Sequence, residues 1–480
     1  MRVLSRRSSA LAVAALLAAC ATNPATGRSE FMLVSQDQEI AMGREYDPQI
    51  VASIGLYPDT ALQRYVQELG TSLAKQSERP GLPWTFRVLD DPQVNAFAIP
   101  GGYIYITRGI LAHLNSEAQL ASVLGHEIGH VTARHSASQM SQQQLAQLGL
   151  AVGAAVSERF AQYADLASQG LGLLFLKYSR DDESQADALG LRYIRRTKHD
   201  VREMPKVFAM LAAVSAAAGP SDVPAWMQTH PQPEDRFAAI EAAITRTPQD
   251  TAGIITRRDE YERRLNGLVF GEDPRNGYFR GTRFIQPTMR FSLTFPEGWR
   301  TKNEANGVQG AATTNDAAVQ LTISEQQTAA AAAQAFAGQQ GLTAAAPTSA
   351  NINGLATAST SFAAVAEGDT LRGAVTFVEH GGMVFQLIGY APSAAWAARQ
   401  TAIAATLRSF APVTDRALLD VKPQVLGVFV LDRQASIEQL KASRPSPLTA
   451  AQLGILNQIP VEEQILRGRL VKWVTGPAAP

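Results

Sequence analysis

Two kinds of hydrophobic periodicity divide the chain. Between about residues 35 and 266, apolar residues recur mostly at the spacing of amphipathic helices. Three β-rich runs interrupt this pattern at 86–89, 95–99 and 103–107, separated by Asp-Pro and Pro-Gly-Gly turn signals. The pattern therefore predicts a mainly helical domain that contains a small antiparallel sheet.

From residue 291 onward the pattern changes to strand-like alternation. Strands are predicted around 290–295, 319–323 and 383–388, with one Ala-rich helix at 328–336. The last sixty residues follow a strand, helix, helix, strand order, at 425–431, 436–442, 449–459 and 470–474. We therefore predict an α+β protein with a first domain at 20–270, an α+β accessory domain at 281–412 and a small βααβ module at 421–480. A chain of 480 residues is long enough for about three domains.

Charge and cysteine content exclude several classes of protein. The chain has 43 Lys and Arg against 43 Asp and Glu, so no net positive charge favours a nucleic-acid partner, and we expect none. Cys20 is the single cysteine, which excludes an internal disulfide and a thiolate zinc finger.

The position of Cys20 is informative. Three arginines form a basic head, residues 10–19 form an apolar run too short to span a membrane, and the run ends in Leu17-Ala18-Ala19-Cys20. This predicts a signal peptide at 1–19, and the ending resembles a bacterial lipobox. The resemblance implies lipid attachment at Cys20 and anchoring to a membrane. Ala21 resembles the sorting choice that places such proteins at the periplasmic face of an outer membrane.

The motif with the clearest chemistry is His126-Glu127-Ile128-Gly129-His130. On a helix, positions four apart differ by about 40° around the axis, so both imidazoles project from one face and can share a metal. Glu127 lies close enough to serve as a base without being a ligand. Ser116 and Gln119 have capping-box spacing, which supports a helix starting there.

A hydrolytic zinc site needs a third protein ligand. The segment 178–190 contains Asp181, Asp182, Glu183 and Asp187, which leaves several carboxylates open as candidates. H-E-x-x-H followed by S-R-x-x-E-x-x-A-D resembles the HtpX/BepA-type gluzincin peptidases, relatives of the CAAX prenyl protease. The resemblance implies one zinc ion per chain, Glu183 as its third ligand, and Asp187 as the group that orients a ligand histidine.

Two more segments resemble that family. Asn95-Ala96-Phe97-Ala98 resembles its edge strand, on which an extended substrate pairs through its backbone. Thr229-His230-Pro231, followed by Asp235-Arg236, resembles its T-H-P segment. His230 would then stabilise the oxyanion or occupy the open zinc position and hold the enzyme latent, with Arg236 just outside the ligands. His135, five residues past His130, is expected to point away from the metal face.

The resemblance implies a zinc endopeptidase of the cell envelope whose substrates are misfolded, stalled or misassembled envelope proteins. One alternative is a largely latent, chaperone-like lipoprotein. Another rests on the C-terminal module, which resembles a divergent LysM domain; LysM domains bind peptidoglycan, so the chain could attach to the wall or cleave peptidoglycan peptides. A packing role without any ligand is an equally open reading of this module.

Overall fold

The computed structural model describes residues 20–150, 177–218, 225–230, 234–366 and 369–477, and these form two compact units. The first unit takes its residues from 20–51, 55–271 and 425–475, and the second is mainly 272–424. The predicted signal peptide at 1–19 lies outside the described residues, as do 151–176, which hold most of an apolar helical stretch predicted from the sequence.

The first unit is mainly helical. Its α-helices before the C-terminal segment are α1 (Gln36–Ile54), α2 (Thr60–Ala74), α3 (Arg108–His113), α4 (Glu117–Ala133), α5 (His135–Leu150), α6 (Arg180–Arg196), α7 (Met204–Ala218), α8 (Ala225–Thr229), α9 (Glu234–Arg246) and α10 (Arg258–Arg264). Its strands before that segment are β1 (Cys20–Thr22), β2 (Ser29–Phe31), β3 (Thr85–Leu89), β4 (Ala96–Ile99), β5 (Tyr103–Thr107) and β6 (Val269–Phe270).

Strands β3, β5 and β4 form a three-stranded sheet in that order, so β4 is an edge strand. The three predicted β-rich runs are therefore present. The predicted antiparallel arrangement is wrong in one pair, because β3 runs parallel to β5 while β4 runs antiparallel to it. The chain crosses from β3 to β4 before returning along β5, and hydrophobic alternation carries no information about that direction.

Helix α4 is the centre of the first unit, and all seventeen of its residues are buried. It begins as predicted, because the Ser116 side chain accepts a hydrogen bond from the Gln119 backbone N–H at 3.1 Å. Glycines let it approach α6 closely. A Cβ added at Gly190 would lie 2.9 Å from the backbone nitrogen of His126, and one at Gly129 would lie 2.8 Å from the carbonyl oxygen of Ala186. Backbone packs against backbone here, which fixes the separation of the two helices.

The C-terminal segment has the predicted βααβ order: β19 (Gln424–Val430), α14 (Ile437–Ser443), α15 (Ala450–Asn457) and β20 (Leu470–Thr475). Strands β20, β19 and β6 form one sheet, with β19 in the middle. The buried Lys472 ammonium donates to the carbonyl oxygens of Ala112 and Leu114, at 2.5 and 2.9 Å, just ahead of α4. Residues of this segment also belong to the main core of the first unit. The segment and α4 therefore share one hydrophobic core.

The second unit is rich in antiparallel sheet. Its strands are β7 (Tyr278–Arg280), β8 (Arg283–Gln286), β9 (Phe291–Thr294), β10 (Arg300–Glu304), β11 (Gly307–Ala311), β12 (Ala318–Ser324), β13 (Leu342–Ala344), β14 (Thr348–Ile352), β15 (Leu355–Ala366), β16 (Asp369–His380), β17 (Met383–Pro392) and β18 (Ala411–Pro412). Its helices are α11 (Ala329–Ala337), α12 (Ser393–Arg408) and α13 (Arg416–Leu419). The strands and the Ala-rich helix predicted in this part of the chain are all present.

Two sheets organise the second unit. One has the order β10-β11-β12-β17-β16-β15-β13, with β14 also paired to β15, and the other has the order β18-β9-β8-β7. Helix α11 packs its alanines and Phe336 into a core with residues of β15 and β16. Among the described helices of the whole chain, none is long and apolar enough to cross a bilayer.

Candidate metal centre

The two histidines of the H-E-x-x-H motif lie side by side on α4. Their Nε2 atoms are 3.0 Å apart, and both side chains are almost fully buried. A helical repeat places residues four apart on one face, which brings the two rings together. The two Nε2 atoms can therefore contact the same ion.

Glu183 and His230 complete a cluster of four donors. Glu183 projects from the first turn of α6, which a capping box between Ser179 and Asp182 holds in place. Its Oε1 lies 3.5 Å from His130 Nε2 and 2.9 Å from His230 Nδ1. One ligand atom from each of His126, His130, Glu183 and His230 lies within 4.8 Å of all the others, and all four residues are buried.

Asp187 and Arg236 contact the donor cluster from one side. Asp187 follows Glu183 by one helical turn, and its Oδ1 lies 2.8 Å from His126 Nδ1. The Arg236 guanidinium donates to both carboxylate oxygens of Asp187, at 2.7 and 2.8 Å, and its Nη1 lies 2.6 Å from Glu183 Oε2. One buried guanidinium thus holds the two carboxylates of α6 against the metal face.

Glu127 is placed beside the cluster without joining it. Its side chain is fully buried, and Oε1 lies 3.7 Å from His230 Nε2. Within the described ranges, neither of its carboxylate oxygens has a hydrogen-bond partner. Burial raises the pKa of Glu127, opposed by the nearby His230 and His126. A carboxylate in this state is a stronger proton acceptor than a solvated one.

The metal-binding forms of His130 and Glu183 are favoured for different reasons: burial helps to keep His130 neutral, and neighbouring positive groups keep Glu183 ionised. Burial, followed by repulsion from His126 and His135, lowers the pKa of His130 well below its usual value, so the ring is neutral. Burial alone would raise the pKa of Glu183, yet His230, His126 and Arg236 outweigh it and lower that pKa, so the carboxylate is ionised. A neutral imidazole and an anionic carboxylate are the forms that bind a cation.

The donor set fits zinc. Imidazole nitrogens combined with one carboxylate oxygen are typical of catalytic zinc, whereas magnesium and calcium sites are built from oxygen ligands. The competing carboxylates lie elsewhere: Asp181 is exposed, and Asp182 accepts from the Ser179 backbone N–H at 3.0 Å. The structure thus brings Glu183, and neither of its neighbours, into the donor cluster.

Three ring contacts were missed from the sequence. His135, expected to point away from the metal face, is not one of the four donors, but its Nδ1 lies 2.9 Å from Nδ1 of His130, the ring nitrogen on the far side from the cluster. Tyr178 stacks on His130 with ring centroids 3.9 Å apart, and Trp226 stacks on His230 at 4.2 Å. Tyr178 and Trp226 lie just before the two motifs that supply Glu183 and His230, which was the available signal.

The strand for which substrate pairing is predicted, β4, lies at the sheet edge. Ala96, Phe97 and Ala98 lie in β4, and Asn95 directly precedes it, its carbonyl accepting from the Thr107 backbone N–H at 3.1 Å. Further along the same strand, Ile99 lines a small cavity together with His130. The edge strand therefore leads toward the end of α4 that carries the donors.

Comparison with known proteins agrees with this geometry. Residues 60–244 match Peptidase family M48. The β-barrel assembly-enhancing protease of Yersinia pestis is 32% identical over 239 residues, covering 48% of this chain and 49% of that protein. The protein of that name from Escherichia coli (strain K12) is 31% identical over 227 residues, covering 45% and 46%.

A more distant relative is the mitochondrial metalloendopeptidase OMA1 of Arabidopsis thaliana, 30% identical over 185 residues, covering 38% of this chain and 36% of the relative. The chain spans about half the length of the bacterial relatives it matches. All four donors, and Glu127 beside them, lie inside the matched segment. The gluzincin resemblance is thereby confirmed, and it extends over residues 60–244, the part of the chain that matches Peptidase family M48.

Proposed function

We propose that the chain is a zinc-dependent endopeptidase of the cell envelope. The observation that carries the proposal is the buried cluster of His126, His130 and Glu183, with the unpartnered carboxylate of Glu127 beside it. His126 and His130 would hold the ion through Nε2, and Glu183 through its carboxylate. When bound there, zinc would act as a Lewis acid toward the scissile carbonyl and the attacking water.

Glu127 is the proposed general base. It accepts the proton of the attacking water and then delivers it to the leaving amine nitrogen. Its burial supports this role, because a raised pKa brings the carboxyl group closer to the pH at which it can both accept and donate a proton. Arg236 and Asp187 keep Glu183 and His126 in position during the reaction.

Replacement of Glu127 by Gln tests the proposal. The amide keeps the shape of the side chain but cannot take a proton, so we expect casein hydrolysis to fall by about 10²–10⁴-fold while stoichiometric zinc is retained. Glu68→Gln, at an exposed position of α2, is the matched control and should leave both quantities unchanged. A Glu127→Gln protein that still cleaves casein at the wild-type rate would remove the proposed base.

His230 has two proposed roles. Its Nδ1 lies 3.3 Å from His126 Nε2, which supports a fourth-ligand role that holds the enzyme latent. Its Nε2 faces Glu127, which supports stabilisation of the oxyanion instead. His230→Ala separates the two, because removal of a blocking ligand raises casein hydrolysis, whereas removal of an oxyanion donor lowers kcat with zinc retained.

Unfolded or misassembled envelope proteins are the proposed substrates. The relatives named β-barrel assembly-enhancing proteases support an envelope role. An extended chain would pair with β4 through its backbone, which suits an enzyme that accepts many sequences. Unfolded casein should therefore be cleaved, and a folded, disulfide-linked protein of similar size should not.

Lipid attachment at Cys20 and a position at the periplasmic face of the outer membrane complete the proposal. Metabolic labelling with radioactive palmitate should mark the wild type and leave Cys20→Ser unlabelled. The Cys20→Ser protein should also leave the outer-membrane fraction. Labelling that survives this substitution would contradict the anchor. The chaperone-like and peptidoglycan-directed alternatives stay predictions.

A further inference from the structure

The two ligand histidines of α4 have different outer partners. Nδ1 of His126 contacts the carboxylate of Asp187, at 2.8 Å. Nδ1 of His130 contacts another imidazole, that of His135, at 2.9 Å. Nε2 of His135 in turn lies 2.7 Å from Oε1 of Gln185, on α6. On its outer side, His130 thus contacts two neutral side chains in succession, His135 and then Gln185, whereas His126 contacts an anionic carboxylate.

Once Nε2 of His130 is taken as the metal-binding nitrogen, the position of every proton along the hydrogen bonds from His130 to Gln185 follows. His130 turns Nε2 toward the donor cluster, and a nitrogen that binds a metal carries no proton. Its Nδ1 is then protonated and donates to Nδ1 of His135. His135 must therefore carry its own proton on Nε2, which donates to the carbonyl oxygen of Gln185. Every nitrogen and oxygen along the chain has one compatible role.

Local backbone geometry brings His135 back to His130. Helix α4 ends at Ala133, and the next residue, Arg134, has a left-handed φ of 63° that turns the chain before α5 begins. Tyr178 covers another side of the His130 ring, and its hydroxyl lies 2.9 Å from Ser136 Oγ. His135 is 3% exposed, so water does not compete for its ring nitrogens. Oδ1 of Asp182 lies 3.5 Å from Nε2 of His135, further than Oε1 of Gln185, while Oδ2 of Asp182 accepts from the Ser179 backbone N–H.

We propose that His135 is a positioning residue, which fixes the tautomer and orientation of His130 through the relay from His130 to His135 to Gln185. The inference rests on the proposed zinc site and deepens it. An outer partner that holds a ligand imidazole in its metal-binding tautomer raises metal affinity, and its loss lowers that affinity by about 10–100-fold. His135 itself does not touch zinc or substrate.

Two isosteric substitutions separate positioning from packing. In His135→Asn the amide oxygen occupies roughly the place of Nδ1 and can accept from His130. In His135→Gln the amide lies near the place of Nε2, so the acceptor for His130 is lost. The zinc dissociation constant of the full chain, measured by competition with a chromophoric chelator, should rise about 10–100-fold in His135→Gln and stay near the wild-type value in His135→Asn.

Thermal unfolding of the zinc-free proteins is measured in parallel, because a purely packing role would alter that stability without separating the two variants in zinc affinity. Gln185→Met provides a second variant, at a half-buried helix position. It removes the acceptor for His135 and should weaken zinc binding in the same direction. Ser184→Ala, on the exposed neighbouring position, is its control and should bind zinc as the wild type does.

Unchanged zinc affinity in both His135→Gln and Gln185→Met would overturn the relay. Equal losses in His135→Asn and His135→Gln would also overturn it, because the position of the acceptor would then be irrelevant. If neither His135 variant folds, Gln185→Met decides alone by the same criterion. A wild-type chain that binds no zinc would instead refute the proposed function, so the two failures are distinguishable.

Discussion

Truncation of Trp473 to alanine should destabilise the metal domain, although the residue lies far along the chain from the donor motifs. Trp473 belongs to β20, is 1% exposed, and is part of the same core cluster as residues of α4. Its indole N–H donates to the carbonyl oxygen of Pro445 at 3.1 Å. Truncation of a buried Trp to Ala costs about 3–5 kcal/mol, including the cavity that the missing ring leaves.

Hydrogen exchange followed by mass spectrometry measures this effect at the helix of interest. In the full chain, the amides of α4 should exchange only when the first unit opens, because the helix is entirely buried. A loss of about 4 kcal/mol in the free energy of opening corresponds to roughly a thousand-fold faster exchange. Urea unfolding of the same protein should show a matching loss of stability.

Leu466→Ala is the control for this prediction. Leu466 is 67% exposed in the same C-terminal segment, so its truncation should leave the exchange of α4 unchanged. The shared core would be refuted if Trp473→Ala accelerated exchange in β19 and β20 but left α4 protected as in the wild type. That result would mean that the βααβ segment folds as an independent module.

Lys472, Gly190 and Asp187 are buried in the first unit, and substitution of each should change a measurable property. Burial lowers the pKa of Lys472 to about 7, although attraction by Glu262 opposes this shift. The unfolded chain keeps the Lys472 proton up to about pH 10.5, so the free energy of unfolding in urea should rise with pH above 7, by up to about 1.4 kcal/mol per pH unit. This rise should be absent from Lys472→Met. Parallel pH curves for the two proteins would contradict it. Gly190→Ala forces α6 away from α4, so zinc affinity should fall and the free energy of unfolding should drop by roughly 1–3 kcal/mol. An unchanged zinc dissociation constant in the chelator competition assay would count against this. Asp187→Asn should weaken zinc binding by about 10–100-fold, and equal affinity in the two proteins would exclude the orienting role.

Local rules explain what the sequence could predict. The spacing of His126 and His130 is a property of any α-helix, so their convergence needs no knowledge of the fold. The Ser116 cap and the βααβ order of the C-terminal segment are likewise encoded within a few residues of each element. Glu183 required the family resemblance, because several neighbouring carboxylates share its helix and spacing alone did not separate them.

Long-range and backbone effects explain what could not be predicted. The contact of His135 with His130 depends on the left-handed conformation of Arg134, which ends the helix and invalidates a projection at 100° per residue. The parallel pairing of β3 with β5 depends on the path of the chain between them. Lys472 reaches the carbonyl oxygens ahead of α4 from about 360 residues further along the chain, a contact without any local signature.

Charge balance explains why the outer ring nitrogens of the two ligand histidines have different partners. Glu127, Glu183 and Asp187 bring three carboxylates into one buried region, and Arg236 is the guanidinium that lies among them. Buried charges are stable only when they are paired, and the remaining excess of two negative charges matches one divalent cation. A carboxylate in direct contact with Nδ1 of the second histidine would exceed that balance, whereas Asp182 lies one side chain further out and is partly exposed. The neutral side chains of His135 and Gln185 can hold an imidazole in its metal-binding tautomer without adding charge, which gives a physical reason for the asymmetry between the two ligands of α4.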